Sequence, residues 1–373
     1  MKADLCVFAQ QMLAIWGGWE WGTGAILTRN FTLQKGLLGM HSFHQTRRAD
    51  ATEVVVEQYG TASQLKVRKV LLPAPGKDEV RVRHTAIGVN FVDVYHRTGI
   101  YPLPILPSAL GVEAVGIVEA IGAEVDGFEP GQRVAYAGPP VGSYASVRNI
   151  PASRLLRVPD GLDDDDVAAF LLRGITAYML LAHVYPVRRG DTVLIHAAAG
   201  GLGLVLVQWA KWLGAIAIGS VSSQAKAALA TQYGLDHPIL YREQNFVQEV
   251  NRLTGGRGVD YVIDGIGGKT LIDSLGAVRP FGMVASIGQV AGDPGPIDLA
   301  MLGPTRSVSL SRPGVFRFIA DYALYREGAA AAFEALQRGV RAHIGAVFPL
   351  AEAAVAHRAL ESGASTGSLL LHP

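Results

Sequence analysis

The chain has a single cysteine, Cys6, among 373 residues. An intramolecular disulfide is therefore excluded, no Cys-x-x-Cys metal knuckle can be built, and a cytoplasmic setting is expected. An excess of charge is also missing. Against 32 acidic side chains stand 33 basic ones, a formal net charge of +1. Nothing at that level calls for nucleic acid or an anionic membrane as partner. Nor does any unbroken apolar run reach the roughly 18 residues that a membrane-spanning helix needs. What the chain does have is 44 glycines and 49% hydrophobic residues, which suits an α/β enzyme rich in tight turns. Its length exceeds the roughly 250 to 300 residues at which single cores split, so two domains are expected.

The most informative stretch is His196-Ala-Ala-Ala-Gly-Gly-Leu-Gly203, between the apolar run Asp191-Thr-Val-Leu-Ile195 and a helical pattern through Gly214. Strand, glycine turn and helix in that order form the pyrophosphate cradle of a dinucleotide-binding fold. Gly200 and Gly201 let the backbone approach a phosphate, and the helix from about Leu202 aims its free N–H groups at the anion. Ala198 stands where the usual first glycine would be, so context carries the assignment: a second apolar run, Ala215 to Val221, completes a βαβ unit. After it the chain reads Ser220-Val-Ser222-Ser223-Gln-Ala-Lys226, with no carboxylate before Asp236. An acid there would hold the ribose hydroxyls of NADH, whereas hydroxyls and an ammonium suit a 2′-phosphate and favour NADPH.

Residues 1–47 fit neither period, carry Trp16, Trp19 and Trp21, and lack the features of a secretory signal. They are read as an unassigned extension, either a disordered appendage or the result of a start codon placed early, with Met40 as the internal candidate. From Ala51 a β-rich, turn-rich region without helical period follows, with strands at Glu53–Glu57, Leu65–Val70, Glu79–His84, Gly116–Ile121, Gly131–Tyr136 and Gly142–Val147. The acidic run Asp163–Asp166 marks a helix start. Beyond the βαβ unit, strands at Pro238–Tyr241, Val259–Asp264 and Gly282–Gly288 alternate with helices at Phe246–Thr254 and Thr270–Ala277, the pattern of a doubly wound parallel sheet.

Ile87 to Pro102 with its Asn90-Phe-Val-Asp93, Gly111-Val-Glu-Ala-Val-Gly-Ile-Val118, the cradle and Ser311-Arg-Pro313 together resemble the zeta-crystallin-like NADPH:quinone oxidoreductases, zinc-free members of the medium-chain dehydrogenase/reductase superfamily. The resemblance runs from about Thr52 to Pro373. It implies a GroES-like β-barrel domain (48–175 and 312–373) and a Rossmann NADPH-binding domain (176–311), with the cofactor in the cleft between them. It further implies that Asn90, Phe91 and Asp93 flank the nicotinamide ribose, that Tyr95 and Tyr101 line the quinone pocket, and that Thr176 and Met179 meet the cofactor. Gly200, Gly201 and Leu202 would take the pyrophosphate, Ser222, Ser223 and Lys226 the 2′-phosphate, and Tyr241 the adenine side. Gly265, Ile287, Gly288 and the turn Arg312-Pro313-Gly314 would close over the nicotinamide half. A homodimer through the nucleotide domain is also implied. Many relatives place a basic residue near the cofactor phosphate where this chain has Gly363.

Zinc-dependent relatives take a cysteine where this chain has Asn90 and a His-Glu pair where it has Val112-Glu113, so no metal is expected on ligand count. His84, His96 and His183 are read as ordinary polar or core histidines. Hydride transfer is intrinsic to a nicotinamide, so the protein need only hold an electron-poor acceptor and stabilise charge or supply a proton. Tyr95 and Tyr101, with Asn90, are the candidate catalytic groups for reduction of a quinone or other electrophile. The alternatives are an NADPH-dependent enoyl or alkenal C=C reductase, and a non-catalytic NADPH-binding protein.

Overall fold

Two halves, each organised by its own sheet, position a long cleft. A computed structural model describes residues 48–373, which fall within one compact unit. The reading of residues 1–47, Cys6 included, lies outside the described residues.

The nucleotide-type half is a six-stranded sheet with spatial order His237–Leu240, Ile216–Val221, Thr192–Ile195, Val259–Asp264, Val278–Ser286, Ser309–Ser311. Every pairing is parallel. All residues of Thr192–Ile195 and Val259–Asp264 are buried, as expected of central strands covered by helices on both faces. The chain order 3-2-1-4-5-6 reverses between Thr192–Ile195 and Val259–Asp264, and that switch point opens a crevice at the carboxyl ends of the strands. The helix after the cradle runs Gly201–Trp212.

In the other half, a mixed sheet has the order Ile344–Pro349, Ser368–His372, Glu79–Val89, Glu113–Ile121, Arg133–Ala137, Leu156–Arg157, with Val147–Pro151 also paired to Glu79–Val89. Its first two strands come from the end of the chain: Leu369 and Leu371 pair antiparallel with Val89 and Ile87. A third, small sheet joins Leu65–Leu72, Ala49–Val56 and Ser108–Ala109.

Between the halves runs the helix Asp164–Tyr178, which continues as a π-helical segment, Met179–Val184. The Asp163 carboxylate caps it by accepting from the Asp165 N–H at 2.9 Å, and Asp164 to Asp166 fill its first turn, where the dipole favours negative charge. It packs on the helix Tyr322–Gln337. Gly174 permits that approach: a Cβ there would lie 2.5 Å from a Phe170 ring carbon and 2.8 Å from the Ala332 methyl.

Four sequence expectations need correction. The β-rich region contains a helix, Phe91–Thr98. Gly142–Val147 is not a strand; pairing there starts at Val147, apart from a lone bridge at Ala145. A sixth short strand, Ser309–Ser311, completes the parallel sheet. One helical stretch, Asp164–Val184, is long and apolar enough to cross a membrane, but 72% of its most apolar window is buried inside the protein. Arg173 interrupts the apolar run within it, which is why a search for unbroken runs passes over a core helix.

Candidate functional site

The crevice at the switch point widens into a cleft of about 1060 Å³ with walls from both halves. At its centre the cradle turns on small residues. A Cβ on Gly201 would fall 2.6 Å from the Arg173 Nε and 2.9 Å from the Ser368 Oγ, and one on Gly203 only 2.3 Å from the Ala197 carbonyl oxygen. Ala198, in place of the usual first glycine, is accommodated by Gly219 on the neighbouring strand, where a Cβ would come within 2.5 Å of the Ala198 methyl. No side chain caps the helix Gly201–Trp212. A backbone stripped of Cβ atoms at an uncapped helix start is what a pyrophosphate requires, so the residues fit a dinucleotide.

At one end of the cleft Ser222, Lys226 and Tyr241 stand on the wall. Lys226 Nζ donates to the Gly363 carbonyl oxygen at 2.6 Å, tying this end to the turn after the helix Ala353–Glu361. Burial lowers the Lys226 pKa, and the nearby Arg242 lowers it further. Ser223 is off the wall: it is the N-cap of the helix Gln224–Gln232, its hydroxyl accepting from the Lys226 N–H at 3.4 Å.

At the other end the wall includes Asn90, Phe91, Tyr95, Tyr101, Thr176, Met179, Gly265, Ile287, Gly288, Pro313 and Gly314, with Gly200, Gly201 and Leu202 between the ends. Two expected residues do not reach it. Asp93 is fully buried behind the wall, where its carboxylate accepts from the Asn90 N–H at 2.8 Å and the Tyr144 hydroxyl at 3.1 Å. Burial raises its pKa to about 7. Arg312 is exposed and donates from Nη2 to Gln289 Oε1 at 2.6 Å.

Asn90 begins the helix Phe91–Thr98, and its side-chain amide donates to Glu113 Oε1 at 2.7 Å. Glu113 is wholly buried, and also accepts from the Leu172 N–H at 2.8 Å and from Arg173 Nη1 at 3.1 Å. Burial pushes the Glu113 carboxyl up while the Arg173 guanidinium pulls it down. Asn90 is thereby fixed in orientation at the cleft edge. The Tyr95 hydroxyl accepts from the Gln289 N–H at 3.0 Å, and its ring meets Tyr101 edge-on at 5.2 Å. Burial raises the Tyr95 phenol above its ordinary value. The turn facing them is held by Asp264, whose carboxylate accepts from the N–H groups of Ile266 and Gly267.

Several wall residues escape sequence reasoning, among them Arg173, His196, Phe246 and Phe316. His196 opens the cradle motif, yet nothing in its spacing shows that its two nitrogens bond Ser220 at 2.7 Å and Ser274 at 2.9 Å. Among the described residues no group of three His, Cys, Asp or Glu side chains is arranged to hold a metal. His84 bonds the Ala145 carbonyl and the Tyr136 hydroxyl, His96 stacks on Phe316 and His183 pairs with Glu327.

Comparison with known proteins places this geometry. Residues 76–160 match the alcohol dehydrogenase GroES-like domain and residues 201–324 the zinc-binding dehydrogenase family. A quinone oxidoreductase of Pseudomonas aeruginosa is 41% identical over 324 residues, covering 87% of this chain and 100% of that protein. A 2-haloacrylate reductase of a Burkholderia species is 42% identical over 327 residues, covering 86% and 98%. The structure of Escherichia coli quinone oxidoreductase complexed with NADPH superposes with a TM-score of 0.83 at 36% identity, covering 86% of this chain and 100% of that one. The chain belongs to the quinone oxidoreductase family of the medium-chain dehydrogenase/reductase superfamily.

Proposed function

We propose that this protein is an NADPH-dependent quinone reductase. The observation that carries the reading is the distribution of charge along one continuous cleft. Its wall has two cations, Lys226 at the phosphate end and Arg173, the latter committed to Glu113. Around Tyr95 and Tyr101 the wall is apolar and aromatic, with Phe91, Val290, Pro313 and Phe316. A planar, neutral acceptor suits that surface, whereas a carboxylate-bearing one would have no cation on the wall to meet it.

When bound, NADPH supplies the hydride. Ser222, Lys226 and Tyr241 would hold its 2′-phosphate end, Gly200, Gly201 and Leu202 its pyrophosphate, and Asn90, Thr176 and Met179 its nicotinamide side. Tyr95 and Tyr101 would orient the acceptor, and Tyr95 would donate a hydrogen bond to its oxygen as charge develops there. Catalysis in this reading is metal-free, since Asn90 and Val112 occupy the positions of zinc ligands in the metal-dependent relatives. The single cysteine supports a cytoplasmic setting, and family membership supports a homodimer and the division into 48–175 with 312–373 and 176–311.

The test is NADPH oxidation with a naphthoquinone, a conjugated enone and a 2-haloacrylate. The naphthoquinone should give the highest kcat/KM, and Tyr95→Phe should lower its kcat by about a hundredfold or more, the low end for an acid catalyst. Preference for the haloacrylate, the substrate class named for the Burkholderia relative, would select the C=C reductase instead.

A further inference from the structure

The helix that carries Tyr95 meets the loop after the strand Val278–Ser286 through one polar contact, Gln289 N–H to the Tyr95 oxygen at 3.0 Å. A phenol has one hydrogen to give and an oxygen that accepts. Because the oxygen is engaged by Gln289, the hydroxyl hydrogen must point elsewhere. Among the described residues nothing accepts it, and Tyr95 lies on the cleft wall. Behind the loop Arg312 donates to Gln289 Oε1 at 2.6 Å and, more loosely, to the Ser286 hydroxyl at 3.4 Å. Gln289 thus has its side chain anchored outside the cleft while its backbone N–H points in.

We propose that Gln289 and Arg312 are positioning residues for the acceptor: Arg312 anchors Gln289, whose backbone N–H fixes the Tyr95 hydroxyl so that its hydrogen is presented to the cleft. The proposal rests on the quinone-reductase reading. The quinone gains one hydride, whose hydrogen bonds to the quinone, and one proton: as negative charge collects on a quinone oxygen, the Tyr95 O–H bond breaks, an O–H bond forms on that oxygen, and the proton lost from Tyr95 is replaced from solvent. During that interval the phenolate oxygen keeps the Gln289 N–H as donor. The titratable and charged groups facing the hydroxyl are Tyr101 and Arg312, the first disfavouring the phenolate and the second favouring it.

Gln289→Leu removes the anchor and leaves both Arg312 and the backbone N–H in place; Arg312→Gln breaks the same contact from the other side. With a naphthoquinone and saturating NADPH, Gln289→Leu should lower kcat by about tenfold, the worth of one hydrogen bond, and change the KM for NADPH by less than about twofold. In a Tyr95→Phe background the same substitution should cost nothing further. A second readout needs neither cofactor nor turnover. In the cofactor-free protein carrying ring-labelled tyrosine, the NMR signal assigned to Tyr95 by its loss in Tyr95→Phe should titrate at higher pH in Gln289→Leu than in the unsubstituted protein. An unmoved titration together with an unchanged kcat would overturn the proposal, as would an equal loss of kcat in the Tyr95→Phe background. If the unsubstituted enzyme reduced no quinone, the functional reading would fail, and the titration would decide the contact alone.

Discussion

In the proposed function, Lys226 is the residue on which cofactor choice turns. Its ammonium has three donors, and the structure uses one of them on the Gly363 carbonyl. The remaining two are available to a phosphate without releasing the turn. Gly363 has φ +65°, a conformation that L side chains rarely adopt, so the basic residue that many relatives carry there would be strained in this backbone. In the proposed reading, phosphate recognition therefore falls on Lys226 with the Ser222 hydroxyl. Charge-assisted hydrogen bonds contribute about 1.5 to 3 kcal/mol each. Lys226→Glu should accordingly weaken NADPH binding by roughly ten- to a hundredfold while NADH affinity moves little. Quenching of protein fluorescence by each cofactor measures this, and equal losses for both would reassign the 2′-phosphate site.

Among elements, the helix Phe91–Thr98 shows most clearly what the sequence displays and what it hides. Eight residues inside a strand-rich region are too few for a helical period to stand out. The readable signal was at its ends: Asn90 followed three positions later by Asp93, whose carboxylate accepts from the Asn90 N–H, and Gly99 with φ +82° closing it. The βαβ unit was legible because strand, turn and helix are consecutive and each satisfies its own local rule. Asp93, by contrast, belongs to the same short motif as Asn90 and Phe91, but a burial difference within one helical turn is invisible until the helix is placed. Long-range contacts were equally hidden. Arg97, only 1% exposed, donates to Glu361 at 2.9 and 2.6 Å and to the Gly60 carbonyl at 3.0 Å, locking this helix to the one ending before Gly363. Glu361→Ala strands that guanidinium away from water and should destabilise the protein by about 3 kcal/mol, whereas Glu361→Gln, which retains an acceptor, should cost markedly less. Urea unfolding of the two variants side by side is the measurement; equal stabilities would mean that Arg97 finds other partners.

At the scale of the whole molecule, buried histidines make folding sensitive to acid. Burial holds His84 and His357 at about 3, and His96 and His196 at about 4, against an ordinary value of 6.5. Each folded-state value is depressed, so the unfolded chain binds protons that the folded one refuses between the two values. The contribution of each histidine is fully present above pH 6.5 and is lost as pH falls toward its folded value. Asp93 works in the opposite sense: with its folded value raised to about 7 from 3.8, its contribution grows as pH falls through that window. Burial raises the Glu113, Asp166 and Asp264 carboxyls as well, so these groups oppose the histidines, and the decline from about pH 6.5 to about pH 4 is the histidines' own contribution. His196 offers the cleanest dissection, because glutamine can bond both Ser220 and Ser274 without titrating. Unfolding free energies of His196→Gln and the unsubstituted protein, compared from pH 7 to pH 4, should diverge by up to about 1.4 kcal/mol per pH unit below 6.5, the variant having the shallower slope. Parallel curves would show that His196 takes up its proton in the folded state, and the neutral imidazole assigned to the wall of the cofactor cleft would have to be replaced by a cation.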